Sequence, residues 1–190
     1  METELLIAYG NTAREQHNPT LAISYYAQAF VQDYNSASAF NNYGNVIREM
    51  GYPERALAFL ENAIRIDPAN ETARFNRAVS YLLMGDYKNG WPAYEDRWNF
   101  EHLKGALPNL PKPKWTGQDL RDKTILVIGE QGLGDTVQFV RFCATLVEKG
   151  AQVVLVVDAG LVSLFGQSPG MQVLAFNQEL PSFDYWIPIM

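Results

Sequence analysis

Asp135 closes a glycine-rich run, Gly129-Glu130-Gln131-Gly132-Leu133-Gly134-Asp135-Thr136, that follows directly on the apolar stretch Thr124-Ile125-Leu126-Val127-Ile128. A carboxylate there can take a proton from a hydroxyl as it attacks an electrophilic carbon, once the hydroxyl comes within hydrogen-bond reach. Glycines allow close backbone approach, and the free N–H groups of a helix start stabilise negative charge. Gly129, Gln131, Gly132, Gly134 and Thr136 are therefore the candidate phosphate or substrate cradle. No lysine follows Gly134, as a P-loop would need, and Val137 stands where a dinucleotide fingerprint has its third glycine. Asp135 also reads as a helix N-cap, with Gln138 three residues on completing a capping box. Base and cap both remain open. Glu130 is a second carboxylate near the turn, and Arg141 either meets phosphate or faces solvent.

A second set is made of amides. Asn42 and Asn76 share the sixth position of a repeating segment, and Asn11 and Asn45 share the ninth. Such side chains can accept from the N–H groups of a bound peptide and donate to its carbonyls without reading its sequence. Equally, asparagine is common on solvated helix faces. The positions are defined by a phase of thirty-four residues running through segments that begin near Thr3, Ala37 and Glu71. Gly10, Gly44 and Ala78 fall at one slot, Ala22, Ala56 and Gly90 at another, Tyr26, Leu60 and Tyr94 at a third, and Ala29, Ala63 and Arg97 at a fourth. Small residues recur where antiparallel helices cross closely, and larger ones recur as ridges.

The pattern resembles the tetratricopeptide repeat, a helix-turn-helix unit that stacks into a superhelix. The middle segment carries Phe40, Tyr43, Gly44, Ala56, Leu60, Ala63 and a closing Pro68 in the order of that family. The flanking segments depart from it: Tyr34 and His102 stand in place of the closing proline, and Arg74 and Arg77 occupy apolar slots of the third, as in a modified cap. The resemblance implies repeats at about 3–36, 37–70 and 71–104 within a region 1–100. It also implies a groove lined by the first helix of each unit, with an acceptor protein or peptide lying along Asn11, Asn42, Asn45 and Asn76.

Beyond the repeats, residues 101–121 lose the helical period and collect Pro108, Pro111 and Pro113 ahead of Trp115. This stretch reads as a spacer with one packed tryptophan or as a strap docked on a neighbouring domain. From 122 onward the pattern predicts a parallel sheet: a strand at 124–128, a helix over 136–149, a strand at 153–157, a short helix over 158–167, and strands at 173–176 and 185–189. Continuous apolar strands joined through helices are covered on both faces and connect by right-handed crossovers. Four such strands make a partial doubly wound domain, which is expected to continue beyond Met190.

The run from Ile125 to Phe142 resembles the start of the glycosyltransferase domain in bacterial repeat-linked glycosyltransferases. That domain is similar to the heptosyltransferases, whose two Rossmann-like halves face a cleft. Gly90-Trp91, Tyr94-Glu95 and Arg97-Trp98 match the junction where the last repeat meets that domain. The expected fold is thus an all-α tetratricopeptide-repeat superhelix followed by a partial α/β Rossmann-like domain with a parallel sheet. The resemblance gives Asp135 the role of base toward the acceptor hydroxyl. It places the nucleotide-sugar site mainly in a second half that the sequence does not contain, so this chain alone is expected to bind rather than to transfer. It also likens the asparagines to the ladder that grips polypeptides in O-linked N-acetylglucosamine transferases. Two rivals stand beside it: a non-enzymatic scaffold that self-associates through an exposed sheet edge, and a dinucleotide-binding protein using the glycine turn and Asp158. In the absence of a dinucleotide, Asp158 caps the short helix that follows it.

Composition narrows the classes. A net charge of −6 without a basic cluster argues against nucleic acid. The single cysteine, Cys143, excludes an internal disulfide framework and reads as a small buried hydrophobe. His17 and His102 have no cysteines near them, so no zinc site and no cofactor is expected. No apolar run approaches the roughly 18 residues of a membrane span, and the expected compartment is the cytoplasm. Trp91, Tyr94 and Trp98 form a stripe at helical spacing that reads as core, while Pro92 implies a late helix start near Gly90 or a kink.

Overall fold

The computed structural model describes residues 2–99 and 109–190. His102, Pro108 and the linker positions up to Pro108 lie outside the described residues. The chain divides into two compact units, Met1–Pro108 and Asn109–Met190.

The first unit contains α1 (Glu2–Glu15), α2 (Pro19–Gln32), α3 (Ala37–Glu49), α4 (Pro53–Ile66), α5 (Glu71–Leu83) and α6 (Tyr87–Tyr94), the last running into a 3-10 turn at Glu95–Asn99. Each boundary has a local cause. Asn18, Ser36, Asn70 and Asp86 accept backbone N–H groups of Leu21, Ala39, Ala73 and Asn89 at the starts of α2, α3, α5 and α6, and Pro19 and Pro53 open α2 and α4. The turn inside each hairpin needs a left-handed residue at one repeating position. Gly51 and Gly85 supply it at φ +90° and +76°, and His17 takes the same position at φ +56° in the first hairpin. Pro92 falls inside α6, which starts at Tyr87 rather than near Gly90 and passes into the 3-10 turn two residues after the proline.

The thirty-four-residue phase is a packing phase. A Cβ added at Gly10 would stand 2.3 Å from Cε1 of Tyr26, and one at Gly44 3.0 Å from Leu60. Ala22, Ala29, Ala56 and Ala63 are fully buried at the matching crossings. Successive hairpins meet through aromatic rings: Phe30 of α2 stacks on Phe40 of α3 at 4.8 Å and meets Tyr43 edge-on at 5.3 Å, and Tyr43 lies 4.4 Å from Phe59 of α4.

The third hairpin replaces apolar packing with charge. Arg97 stands at the slot of Ala29 and Ala63 and is only 1% exposed. Its guanidinium lies over the rings of Tyr94 and Trp98, at 4.9 and 4.4 Å, and donates to Tyr94 O and to Glu95 Oε1. Arg74 ties α5 to the following turn, with Nε 3.4 Å from Asp96 Oδ2 and Nη1 donating to Pro68 O. Within the stripe, Tyr94 packs on Phe75 at 5.4 Å and on Trp91 at 6.0 Å.

In the second unit β1 (Thr124–Ile128), β2 (Gln152–Val157), β3 (Met171–Ala175) and β4 (Tyr185–Pro188) form a parallel sheet in the order β3-β2-β1-β4. Val127 stands opposite Leu155 on one side and Ile187 on the other. The core gathers Leu120, Ile125, Val127, Leu155, Val157 and Phe165. The helix expected over 136–149 instead starts three residues earlier and is divided into α7 (Leu133–Phe139), a 3-10 turn at Val140–Phe142 and α8 (Cys143–Glu148). After β2 the short helix is α9 (Ala159–Phe165), capped by Asp158, whose carboxylate accepts from Gly160 N–H at 2.8 Å.

The proline segment ahead of β1 is a docked strap. Trp115 N–H donates to Trp186 O at 2.8 Å, Trp186 N–H to Pro113 O at 3.3 Å, and the Trp186 indole to Lys112 O at 2.9 Å. Lys114 pairs in parallel with Trp186, and Trp115 packs against the core. The outer edge of β4 is thereby covered by residues that include a proline with no N–H to offer, which leaves β3 as the outer strand on the other side.

Cys143 is buried against the core, and burial pushes its thiol up to about 11. At pH 8 the native thiol should react with a disulfide reagent about two orders of magnitude more slowly than the unfolded chain, because so little of it is thiolate. Stopped-flow absorbance against a guanidinium-unfolded control measures this. Complete labelling within seconds at native circular dichroism would contradict the buried assignment.

Candidate functional site: an amide chain and a glycine turn

The asparagines of the first unit join across helices that sequence separates. Asn76 of α5 donates through Nδ2 to Asn41 Oδ1 on α3 at 3.0 Å, and Asn41 Nδ2 donates to Asn42 Oδ1 at 3.0 Å. Asn42 Nδ2 donates in turn to Asn11 Oδ1 on α1 at 3.1 Å, and the Tyr26 hydroxyl donates to the same oxygen at 2.7 Å. A continuous amide chain thus runs from α5 through α3 to α1. Asn41 and Asn76 are each 6% exposed, Asn42 is half-buried and Asn11 is exposed. Every link has its donor on the α5 side, so the carbonyl oxygens are consumed in one direction.

Asn45 belongs to a different network. Its Nδ2 donates to Glu49 Oε1 at 3.1 Å and its Oδ1 accepts from Arg48 Nη2 at 2.6 Å. Glu49 also accepts from Arg14 Nε at 2.9 Å and Nη2 at 2.6 Å, a bidentate tie between α3 and α1. Burial alone would push the Glu49 carboxyl up, but the bonds and charges of Arg14, Arg48 and Asn45 outweigh it and hold it below its ordinary value. A depressed carboxyl stabilises the fold above its unfolded value, and that stabilisation fades as pH falls through the folded one. Burial pulls the Arg48 guanidinium down and pushes the Tyr26 phenol up. The phenol therefore stays a donor throughout the neutral range.

Asn41 was not singled out in the sequence. Its neighbour Asn42 shares a repeat position with Asn76, whereas Asn41 sits one position earlier, where the other units carry Ile7 and Phe75. The signal in the sequence is the doublet Asn41-Asn42 itself, two adjacent amides in one helix, one of which must leave the shared repeat position.

In the second unit the glycine turn lies at the carboxyl end of β1, with Gly129 N–H bonded to Val156 O of β2 at 2.7 Å. A Cβ at Gly129 would meet Thr136 Oγ1 and Val156 O, each at 3.2 Å, so this glycine serves close internal packing. Gly134 differs: a Cβ there would meet nothing within 4 Å. Gln131 takes φ +57°, a conformation in which a side chain is strained. The cap of α7 is Gly132 in extended backbone rather than Asp135. Asp135 sits at the third helical position, and its Oδ2 accepts from Gly132 N–H at 3.1 Å, the reciprocal half of a capping box; Gln138 takes no part in it. The reason for the shift is that the carboxylate reaches back one turn, which lets the helix begin before the acid. Its other oxygen has no hydrogen bond among the described residues. Thr136 is buried, its hydroxyl 3.4 Å from Gly132 O, and Glu130 Oε1 accepts from Met190 N–H at 3.2 Å. Arg141 lies over the Phe142 ring at 5.0 Å.

A cavity of about 480 Å³ opens at the opposite, amino ends of the strands, among Thr124, Gln152, Gly170, Met171 and Ser182. No titratable side chain lines it, so it offers no acid–base chemistry. Among the described residues no three of histidine, cysteine, aspartate and glutamate are grouped to hold a metal, and no helix is long and apolar enough to cross a membrane.

Comparison with known proteins assigns the repeats. Residues 37–70 match the family model described as tetratricopeptide repeat. The second such domain of Spaghetti (RPAP3), solved bound to the HSP90 peptide SRMEEVD, superposes with a TM-score of 0.51 at 18% identity, covering 53% of this chain and 94% of that one. The tetratricopeptide domain of Sgt2 from Aspergillus fumigatus gives 0.50 at 25% identity, with 56% and 74% covered. Protein FlbA of Caulobacter vibrioides is 30% identical over 175 residues, which cover 80% of this chain and 29% of that protein. The chain thus spans less than a third of the length of this curated relative. It is a tetratricopeptide-repeat protein with a carboxyl-terminal parallel α/β region.

Proposed function

We propose that the repeat unit binds an extended peptide or protein segment along Asn11, Asn42 and Asn76, with Asn45 at its margin. In this reading the bound segment is the acceptor for glycosyl transfer. The α/β region is the first half of the transferring domain, Asp135 is its base, and the cradle is Gly129, Gln131, Gly132, Gly134 and Thr136. A further α/β domain would hold the nucleotide-sugar, so this chain by itself binds.

The observation that carries the reading is the amide chain across α1, α3 and α5. Solvated asparagines have no reason to bond one another across three helices. Linked amides are held in place, and the remaining hydrogens of the exposed Asn11 and the half-buried Asn42 meet an incoming acceptor without reorganisation. The relative solved with a bound peptide supports the repeat fold as a peptide carrier. For Asp135, the support is its half-engaged carboxylate: one oxygen fastened to Gly132 N–H fixes the group, and the other is left for a proton. The scaffold alternative draws on the outer edge of β3, since the strap covers that of β4.

Selection from a phage-displayed library of random 12-residue peptides tests the binding. Peptides should be enriched that bind the chain in solution, and Asn11→Ala and Asn42→Ala should each weaken them about 3- to 10-fold, the worth of one or two hydrogen bonds. Failure to enrich any peptide, or enrichment of peptides indifferent to both substitutions, would sink this reading. A dimer by sedimentation in the absence of any peptide would favour the scaffold.

A further inference from the structure

Among the residues near the amide chain, Tyr26 has no place in a groove. It belongs to α2, the second helix of the first hairpin, and is 1% exposed. Its ring nevertheless fills the space that a side chain at position 10 would occupy, 2.3 Å from where a Cβ would stand, and so its hydroxyl passes α1 to reach Asn11 Oδ1 at 2.7 Å. We propose that Tyr26 is the positioning residue of the peptide groove: through the opening left by Gly10 it fixes the amide of Asn11, and with it the polarity of the whole asparagine chain. The proposal rests on the peptide-binding reading above and adds to it the group that orients the contact.

Hydrogen-bond capacity carries the inference. An amide oxygen has two acceptor sites. Those of Asn11 are filled by Tyr26 and by Asn42, so the oxygen is committed inward and the Nδ2 hydrogens are turned away, with no partner among the described residues. Without the phenol, the bond from Asn42 alone would oppose exchange of oxygen for nitrogen about the terminal amide torsion, which is broad and roughly two-fold. Fixing it beforehand removes an ordering cost from binding.

The arrangement is particular to the first hairpin. Leu60 occupies the Tyr26 slot in the second, where Asn45 is held by Arg48 and Glu49 instead. In the third, Tyr94 has the slot, but Val79 replaces the asparagine. Asn41 serves the other end in the same way: buried, it accepts from Asn76 and donates to Asn42, so the orientation set at Asn11 continues to α5.

Tyr26→Phe keeps the ring over Gly10 and removes one oxygen. In 1H–15N spectra of the side-chain amides, the Asn11 and Asn42 pairs should move, while Asn62, whose amide bonds Ala58 O on α4, should not. Affinity for the selected, fluorescently labelled 12-residue peptide should fall about 5-fold. Asn11→Asp is the second variant. A carboxylate still accepts from Tyr26 and Asn42 but has no N–H to offer, so the fold should persist and the peptide be lost by 10-fold or more. Unmoved Asn11 and Asn42 resonances in Tyr26→Phe would overturn the lock, whatever the peptide does. Moved resonances with unchanged affinity, or undiminished binding by Asn11→Asp, would overturn the positioning role while leaving the groove itself in place. A wild-type chain that selects no peptide would remove the groove, and the positioning role with it, even with the amide resonances moved.

Discussion

Gly10→Ala should lower the stability of the repeat unit by roughly 1 to 2 kcal/mol, an overpacking cost of about 2 to 3 kcal/mol less the about 1 kcal/mol by which alanine favours a helix over glycine. The added methyl would stand 2.3 Å from Cε1, 2.6 Å from Cδ1 and 2.8 Å from Cζ of Tyr26. A buried ring cannot turn away as a flexible tip could, so either α1 lifts from α2 or Tyr26 leaves its rotamer. Both routes also break the Tyr26 bond to Asn11, so peptide affinity should drop alongside stability. Thermal unfolding followed at 222 nm reads the loss, about 4 to 8 °C per kcal/mol for a domain of this size. Gly134→Ala is the control, since nothing lies within 4 Å of its new methyl and the helix propensity gain is unopposed. A melting temperature for Gly10→Ala within 2 °C of the parent would mean that the crossing of α1 and α2 is looser than described.

Asp135→Asn should reduce glycosyl transfer by about 10²- to 10⁴-fold, the range for loss of a general base. The assay joins this chain to a further α/β domain able to hold a nucleotide-sugar and measures label transferred to the peptide selected by the repeats. Asparagine can still accept from Gly132 N–H, so the start of α7 should survive and the melting temperature should change by less than the equivalent of about 1 kcal/mol. That survival matters because a helix-start role alone predicts the same small stability change with no loss of rate. Transfer at the parental rate by the Asn variant would leave Asp135 as a helix-start residue only.

Much of the architecture was legible because it is local. A thirty-four-residue phase survives only if the same helix crossing is rebuilt each time, and Gly10, Gly44, Ala22 and Ala56 mark those crossings by being small. The strands of the second unit announce themselves as apolar runs, and the joining helices imply parallel order. The start of α7 departs from the sequence expectation for an equally local reason: an acid can hold the first turn from its third position as well as from its cap, and composition does not distinguish the two. The strap was open between spacer and docked segment, since prolines specify an extended backbone without naming the edge that it joins.

By itself, then, the sequence determined the helical hairpins, the parallel α/β region and the glycine turn ending in Asp135, because each depends on spacing along the chain. Only the tertiary structure decided that Asn41 links Asn76 to Asn42, that Tyr26 reaches Asn11 past Gly10, that Arg97 is held between Tyr94 and Trp98, and that Pro113 to Trp115 cover the edge of β4. Those contacts depend on the lateral offset between neighbouring helices and strands, and a shift of one residue there would exchange every partner while leaving each local pattern intact.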